Sequence, residues 1–429
     1  MAMTSWLASA NDADSDFPIQ NLPYGVFYYG GHAHIGIAIG DQILDLHACA
    51  SAGLLRGLNA DMQRACKAQA LNELMAHGPE MWSTLRDQVT ALLNMDGASN
   101  QMRARVEATL VPMRDATMQV PVQIGDYTDF YASIDHATRV GKLLRPDSPL
   151  LPNYKYLPIG YHGRSSSIVI SGSEIRRPCG QTKTPDGAAA FGPAQLLDYE
   201  LEVGIFIGTG NRLGESIAID EAERHIFGLC LVNDWSARDI QTWEYQPLGP
   251  FLAKSFATTI SPWIVPLAAL APYRVPMRAR AEGDPRPLNY LKGFQEERAG
   301  IDLTLEVYLE SRKMRGTNIP PERISASNLQ GLYWSIEQLM AHHTSNGCNL
   351  RTGDLLATGT VSGPEEGSEG CLLEMRHRAR PLSLATGEQR TFLEDGDRVI
   401  LRAFAQRPGL RRIGFGECTG TVKEAAIPS

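Results

Sequence analysis

Short apolar runs separated by Gly/Pro turns dominate the chain after about residue 118, and they predict β-strands. The segments SSIVISG, EVGIFIGTG, IFGLCLVNDW, IDLTLEVYLE and DRVILRAFA are rich in β-branched and aromatic residues. No regular alternation of strands and helices is visible, which disfavours a parallel doubly wound sheet. The pattern therefore predicts a β-rich roll or sandwich.

The first part of the chain has a different pattern. Residues 24–47 predict short strands punctuated by glycine, whereas apolar residues recur at helical spacing from about 59 to 114. The change near VPMRDATMQVPVQIGDY predicts two domains, 1–117 and 118–429. In the second domain, helices are predicted for DYTDFYASIDHATRVGKLL, AIDEAERHI and NLQGLYWSIEQLMAHHTSN, and exposed loops for RVPMRARAEGDPRPLNYL and SGPEEGSEG.

The stretch LLDYELEVGIFIGTG carries three acids at alternate positions, Asp198, Glu200 and Glu202. Successive side chains of a strand point to opposite faces, so these three acids would share one face. Such a pattern is most often a solvated edge strand. The apolar run that follows indicates a strand entering a core, where like charges repel one another unless a cation lies between them.

Two further acids change the balance between these alternatives. Asp234 directly follows the apolar run of LCLVNDWSARDIQ, and Asp129 in GDYTDFY is predicted to lie in a turn or a first helical turn. Together with Glu200 and Glu202 they offer four carboxylates from three segments. An all-oxygen set of this kind suits Ca²⁺ or Mg²⁺ rather than zinc.

His136 follows Asp129 by seven residues, in SIDHATRVGKLLRP. A lone histidine is more often structural than catalytic. In a continuous helix, however, seven residues make about two turns, so both side chains would share a face. An imidazole beside a bound cation can take a proton from water, and we expect His136 to act as a general base.

Several polar residues of the second half can serve the same site. Arg238 and Gln241 are three residues apart, which one helical turn would align, and Lys254 is flanked by apolar residues. Cationic and amide donors aimed at one point suit a developing oxyanion, although a surface helix is the ordinary alternative. Thr360 lies in a tight glycine turn, and Glu374 follows small and apolar residues in a predicted second strand.

Composition limits the class of protein. The chain has 48 acidic and 40 basic residues and a net charge of −8, which disfavours nucleic acid and anionic membranes as partners. Seven scattered cysteines, the lack of a secretory signal pattern and apolar stretches too short to span a bilayer all favour the cytoplasm.

These residues lie in motifs that resemble the fumarylacetoacetase family. The motifs span about residues 118–420 and are DYTDFYASIDHATRVG, LPIGYHGRSSSIVISG, LDYELEVGIFIG, HIFGLCLVNDWSARDIQTWEYQPLGPFLAKSFATTISPW, HHTSNGCNLRTGDLLATGTVSG and GFGECTG. The first 117 residues match more loosely. The resemblance implies an α+β, β-rich fold, with an N-terminal SH3-like barrel with helices and a C-terminal mixed β-sandwich roll of the fumarylacetoacetase type. It also implies a homodimer.

The resemblance assigns a role to each candidate residue. The implied ligands of Ca²⁺ or Mg²⁺ are Asp129, Glu200, Glu202 and Asp234, and a second Mg²⁺ position involves Asp234, Lys254 and Thr258. The implied base is His136 with its partner Glu374, and the implied oxyanion donors are Arg238, Gln241 and Lys254. The implied substrate contacts are Tyr131, Arg145, Tyr161, Gln241, Tyr245 and Thr360. Asp198 is left as an outer or solvated neighbour of the metal, and no organic cofactor is expected.

The implied reaction is hydrolysis of the carbon–carbon bond of 4-fumarylacetoacetate to fumarate and acetoacetate, at the end of tyrosine and phenylalanine degradation. The partner is then a small diketo acid. A related acylpyruvate or β-diketone hydrolase would keep the metal and His136 but change the substrate contacts. A hydratase or decarboxylase would use the metal without a hydrolytic water, and a non-catalytic calcium-binding module would need neither His136 nor the oxyanion donors.

Overall fold

The computed structural model describes residues 3–97, 99–293, 296–376 and 381–426, so the outer ends of both predicted domains lie outside the described residues. Within these ranges the chain is a β-rich α+β protein, as the sequence predicts. Its α-helices are Leu46–Ser51, Ala60–Ala65, Asn72–Met75, Pro79–Leu93, Asn100–Glu107, Ile134–Leu144, Ala222–His225, Arg238–Glu244, Leu267–Leu270, Arg312–Gly316, Ile336–Thr344 and Leu372–Met375. Its 3-10 helices are Ala8–Asn11, Met113–Asp115, Ser165–Ser167, Ile219–Glu221, Ala271–Tyr273, Asn289–Leu291, Glu296–Arg298 and Leu329–Gly331. Among the described residues, no helix combines the length and apolar character needed to cross a membrane.

The N-terminal part contains an antiparallel sheet and several helices. The helices Ala60–Ala65, Asn72–Met75, Pro79–Leu93 and Asn100–Glu107 lie within the segment for which the sequence predicts helical spacing. The sheet order is Leu110–Pro112, Gln42–Asp45, His32–Ile39, Tyr24–Tyr29 and Thr117–Gln119. The strands predicted for residues 24–47 are therefore confirmed.

A mixed sheet forms the centre of the rest of the chain. Its order is Gly160–Gly163, Tyr127–Phe130, Leu355–Ala357, Leu201–Ile207, Ile226–Asp234, Thr258–Ile260 and Ile168–Ile170, with Val265–Pro266 also paired to Ile226–Asp234. Two neighbouring pairs are parallel, Leu355–Ala357 with Tyr127–Phe130 and Thr258–Ile260 with Ile168–Ile170. A second sheet has the order Glu322–Asn328, Thr304–Glu310, Arg398–Ala405, Ile413–Lys423 and Ser173–Arg176. Two-stranded pairs complete the described strands: Cys179–Lys183 with Ala189–Pro193, Leu197–Asp198 with Ser236–Ala237, Arg274–Val275 with Gly300–Ile301, and Leu382–Ser383 with Gln389–Arg390.

The central sheet is buried on both faces, which explains its unbroken apolar runs. Along Leu201–Ile207, Val203 and Ile205 join an apolar cluster shared with the second sheet, whereas Phe206 joins a cluster shared with the N-terminal helices and strands. In this N-terminal apolar cluster the ring of Phe227 lies 5.1 Å from Tyr24 and 5.2 Å from Trp82, measured between ring centroids. The two parts of the chain thus share one core.

The segment that carries Asp129 and His136 is not one helix. Tyr127–Phe130 is a strand between two partners distant in sequence, and the helix begins only at Ile134. Ser133 caps this helix, because its hydroxyl accepts the backbone N–H of His136. The prediction that the two side chains share a helical face is therefore wrong.

Other predicted elements are shorter or of another type. The strand predicted for LLDYELEV is interrupted after Asp198, because the Asp198 carboxylate accepts the N–H of Tyr199 and the Asn233 side chain accepts the N–H of Glu200. Residues 372–375 form a helical turn rather than the predicted second strand. The two other predicted helices shrink to Ala222–His225 and Ile336–Thr344.

Candidate metal and catalytic site

Three acids reach the site from strands of the central sheet. Asp129 and Asp234 each lie two residues after a member of the N-terminal apolar cluster, Tyr127 and Val232 respectively, and so point to the same face as that cluster. Glu202 lies on this face as well, because it alternates with the side chains that enter the opposite cluster. The acids therefore line one end of an otherwise apolar sheet face.

Asp129, Glu200, Glu202 and Asp234 form a compact buried cluster. One oxygen from each carboxylate lies within 4.8 Å of the others, and Asp129 Oδ1 and both Glu202 oxygens have no hydrogen-bond partner among the described residues. Burial, reinforced by neighbouring carboxylates, raises the pKa values of Asp129 and Glu202 well above their ordinary range. Unpaired buried carboxylates are costly, and a hard divalent cation would satisfy them. The residues thus fit a divalent metal.

Lys254 lies at the edge of this carboxylate cluster and is buried. Its Nζ contacts Glu200 Oε2 and lies 2.7 Å from Asp234 Oδ2. Thr258 Oγ1 donates to Asp234 Oδ1 at 2.9 Å, and Tyr161 donates its hydroxyl to Asp234 Oδ2 at 3.2 Å. Burial disfavours the charged form of Lys254, but Asp234 and Glu200 more than compensate and raise its pKa. It is therefore a cation in the folded protein.

Arg238 provides a second buried cation on the helix Arg238–Glu244. Its Nη2 lies 2.8 Å from Glu200 Oε1, and its Nη1 donates to Gln241 Oε1 at 3.1 Å. The expected alignment of these two residues over one helical turn is thus seen. Burial alone would raise the pKa of Glu200, but Lys254 and Arg238 hold it below the ordinary value. Glu200 therefore stays ionised between two cations.

Asp198 connects two parts of the site and is fully buried, so of its two expected places, an outer or a solvated neighbour of the metal, the solvated one is wrong. Its Oδ2 accepts Arg238 Nε at 3.0 Å, and its two oxygens accept the backbone N–H groups of Leu372 and Leu373 at 2.8 and 2.9 Å. These two N–H groups open the short helix that carries Glu374. One carboxylate thus fixes both an arginine and a helix start.

His136 and Glu374 form a buried pair in which Nδ1 lies 2.7 Å from Oε1. Burial opposes ionisation of Glu374, yet His136, a hydrogen bond from Ser362 and the charge of Arg139 hold its pKa below the ordinary value. An ionised carboxylate only accepts hydrogen bonds, so Nδ1 carries the proton. The Nε2 atom is then the basic nitrogen of His136.

Tyr131 links this pair to the carboxylate cluster. Its ring lies edge-on to the imidazole of His136 at 5.2 Å between centroids. Burial raises the pKa of Tyr131, and the charges of Glu200 and Glu374 raise it further. Asp198 gives a direct link, because it binds both Arg238, which pairs with Glu200, and the start of the helix that carries Glu374. The carboxylate cluster and the histidine pair are therefore neighbours in one buried region.

Three predicted substrate contacts have other neighbours in this structure. Arg145 donates to the carbonyl of Pro149, the hydroxyl of Tyr245 accepts from Gln246, and the methyl group of Thr360 lies beside Gly370. Thr360 is buried in the turn that leads to Ser362. No direct contact of these three residues with the carboxylate cluster is among the interactions described for residues 3–426.

The sequence analysis did not single out Arg139, Ser362 or Tyr127. Arg139 Nη1 donates to Glu374 Oε2 at 3.2 Å and Ser362 Oγ donates to Oε1 at 2.7 Å. Tyr127 has a buried hydroxyl without a described partner, near the acids. The spacing of three residues between His136 and Arg139 could have indicated that Arg139 lies on the same helical face. No comparable sequence signal pointed to Ser362 or Tyr127.

Comparison with known proteins identifies the family of this chain. The family model "Fumarylacetoacetate (FAA) hydrolase C-terminal" matches residues 127–423, and "Fumarylacetoacetase N-terminal" matches residues 20–121. Both models describe hydrolases of one class, the fumarylacetoacetate hydrolases. Fumarylacetoacetase of Caenorhabditis elegans is 49% identical over 420 residues, 96% of this chain and 98% of the relative. The human fumarylacetoacetase is 48% identical over 427 residues, 97% and 98% of the two chains. The chain belongs to the fumarylacetoacetase family.

Solved structures support the same fold. A fumarylacetoacetate hydrolase from Exiguobacterium antarcticum aligns with a TM-score of 0.53 at 18% identity, covering 94% of this chain and 99% of that one. A putative HpcE protein from Mycobacterium smegmatis aligns with a TM-score of 0.53 at 20% identity over the same shares. At these identities the likeness concerns the fold alone.

Proposed function

We propose that the protein hydrolyses the carbon–carbon bond of 4-fumarylacetoacetate, releasing fumarate and acetoacetate as the final step of tyrosine and phenylalanine degradation. The observation that carries this proposal is the buried His136–Glu374 pair beside a carboxylate cluster that holds Lys254 and Arg238. Relatives called fumarylacetoacetase match the chain over nearly its whole length. The substrate is then a small diketo acid.

Asp129, Glu200, Glu202 and Asp234 would hold the cation, Ca²⁺ or Mg²⁺. Either ion, when bound, would supply a Lewis acid that favours departure of the enolate. We also propose a second Mg²⁺ position at Asp234, Lys254 and Thr258. The side chains of Lys254 and Thr258 each donate a hydrogen bond to Asp234.

His136 would take a proton from the attacking water at Nε2. Glu374 holds the Nδ1–H, which fixes the tautomer and stabilises the imidazolium that forms. Lys254 and Arg238 would then stabilise the tetrahedral alkoxide, because both are cations held in a dry site, and Gln241 is held against Arg238. Tyr131, Arg145, Tyr161, Tyr245 and Thr360 would contact the substrate. Collapse of the alkoxide would break the carbon–carbon bond, and the proton on the imidazolium would pass to the departing carbanion.

The wider organisation is also proposed. Domains 1–117 and 118–429, with an SH3-like barrel and a β-sandwich roll, are supported by the two family-model spans and by the N-terminal antiparallel sheet. A homodimer is proposed from the family resemblance, and a cytoplasmic location from the seven free cysteines, which suit a reducing compartment.

The test is a turnover assay with defined metal content. Purified protein is stripped with a chelator, reloaded with Mg²⁺ or Ca²⁺, and mixed with fumarylacetoacetate while its absorbance is followed and products are separated by chromatography. We expect equimolar fumarate and acetoacetate only with the metal. A preferred turnover of other acylpyruvates would reassign the substrate, and formation of a hydrated or decarboxylated product would reject the hydrolase.

A further inference from the structure

Two residues of the helix Ile134–Leu144 bind the two oxygens of one carboxylate. His136 Nδ1 lies 2.7 Å from Glu374 Oε1, and Arg139 Nη1 donates to Oε2 at 3.2 Å. The residues are three apart and therefore lie on the same helical face. Glu374 is fully buried, and the Arg139 side chain is only 14% exposed. The helix thus holds the carboxylate at both oxygens.

Arg139 also holds the loop that follows Thr360. Its Nη2 donates to the carbonyl oxygens of Pro364 and Glu365, at 2.9 and 3.1 Å. Ser133, at the start of the same helix, donates to the carbonyl of Ser362 at 3.1 Å. The hydroxyl of Ser362 in turn donates to Glu374 Oε1. One face of the helix therefore fixes the loop and the carboxylate together.

The orientation of His136 depends on where the Glu374 carboxylate points. A carboxylate held at one oxygen can rotate about its terminal torsion, which is broad and weakly restrained. A guanidinium at the other oxygen stops this rotation and offsets the buried charge, whose loss of a partner is costly. We therefore expect loss of Arg139 to loosen the carboxylate and, with it, the Nδ1–H orientation of the imidazole, although Ser362 still donates to Oε1.

We propose that Arg139 is a positioning residue of the active site: it orients Glu374, and through it His136, and keeps the 361–369 loop docked. The inference rests on the proposed hydrolytic function for its kinetic part only. Arg139 touches neither the carboxylate cluster nor the oxyanion donors in the described contacts, so metal binding does not depend on it.

The experiment compares Arg139→Met, Arg139→Lys and a matched control, Arg278→Met. Arg278 pairs with Asp135 on the same helix but away from Glu374, and its side chain is 40% exposed. Each variant is assayed for kcat, KM, bound metal and melting temperature. Arg139→Met should lose about 10–100-fold in kcat, the range for removing the partner of a functional residue. Its KM should change less than about threefold, and its metal content should not change.

Arg139→Lys should recover most of kcat, because it keeps a cation beside Glu374, and Arg278→Met should keep normal kcat. The idea is overturned if Arg139→Met retains kcat within about twofold, if Lys is no better than Met, or if Arg278→Met is equally damaged. Should Arg139→Met not fold, Arg139→Gln takes its place against Arg139→Lys.

A second readout does not depend on turnover. ¹⁵N spectra of histidine-labelled protein, assigned with His136→Gln, report which ring nitrogen carries the proton. We expect a single Nδ1–H tautomer in the unmodified protein and in Arg139→Lys, and a mixture in Arg139→Met. An unchanged tautomer in Arg139→Met rejects the positioning role, even if no substrate is turned over. If the three proteins show the expected tautomers but none turns over substrate, only the proposed function is rejected.

Discussion

His136 and Glu374 lie 238 residues apart in the chain, yet their side chains meet at 2.7 Å in a buried pair. The carboxylate stays ionised because its described partners, Arg139 and Ser362 among them, are donors. The two side chains are therefore coupled through the hydrogen bond from Nδ1–H to the carboxylate.

This coupling predicts non-additive mutational losses. His136→Ala should lower kcat by at least the ~10²–10⁴ typical of general base catalysis, and Glu374→Gln should lower it less. The double variant should cost little beyond His136→Ala, because Glu374 acts only through the imidazole. Metal content, measured by elemental analysis, should be unchanged in all three. Losses that multiply in the double variant would contradict the pair.

Lys254 is expected to matter for the reaction more than for metal binding. Lys254→Met should reduce kcat by about 10²–10³, the range for one oxyanion donor. Metal content, measured by elemental analysis, should stay the same, because the four carboxylates that would hold the ion are unchanged. Lys423→Met, which removes an exposed pair with Glu174, is the control. Weaker metal binding together with normal kcat would show that the assignment is mistaken.

Metal removal should make stability depend on pH in an unusual direction. In the metal-free protein the pKa values of Asp129 and Glu202 are raised, mainly by burial and then by neighbouring carboxylates. Above pH ~4 the folded cluster then holds more protons than the unfolded chain, so the free energy of unfolding falls as pH rises. Melting temperatures of chelated protein should therefore fall between pH 5 and 8. With ~10 mM Mg²⁺ or Ca²⁺ present, the fall over the same pH range should be smaller. The same slope with and without metal would count against a metal at these acids.

Asp198 should be needed for stability as well as turnover. Asp198→Asn removes one of the two buried counter-charges of Arg238, the other being Glu200, and weakens the start of the helix Leu372–Met375. Breaking a buried pair costs about 3–5 kcal/mol of unfolding free energy, whereas a partly exposed pair costs less than about 1. The control is Asp395→Asn, because Asp395 pairs with Arg177 and is partly exposed. Urea unfolding measures the loss of unfolding free energy in each variant. Equal losses in both variants would refute the special place of Asp198.

The sequence predicted those parts of the site whose pattern is local. Glu202 lies in the strand Leu201–Ile207 and Glu200 directly precedes it, Asp234 ends an apolar run, and Arg238 aligns with Gln241 over one helical turn. Each of these follows from the period of a strand or a helix. The family resemblance, rather than periodicity, brought Glu374 to His136.

The parts that the periodicity missed depend on distant partners. Asp129 lies in a strand because residues 160–163 and 355–357 pair with it, which no local pattern reveals. The helix start at Ser133 could have been found, since serine is a common N-cap. The burial of Glu374 and Asp198 could not, because it results from packing of segments about 170 to 240 residues apart.

The apolar cluster shared by Phe227, Tyr24 and Trp82 has a consequence for how the chain unfolds. Some of the apolar side chains that pack against the strands carrying Asp129, Glu202 and Asp234 come from the first hundred residues. Cutting the chain near residue 118 would uncover a broad hydrophobic sheet face, which is an aggregation hazard. Unfolding of the N-terminal part would likewise remove its packing contacts with the strands that carry the acids. We therefore expect the regions matched by the two family models to unfold together, because the strands that carry the acids pack on side chains from both regions.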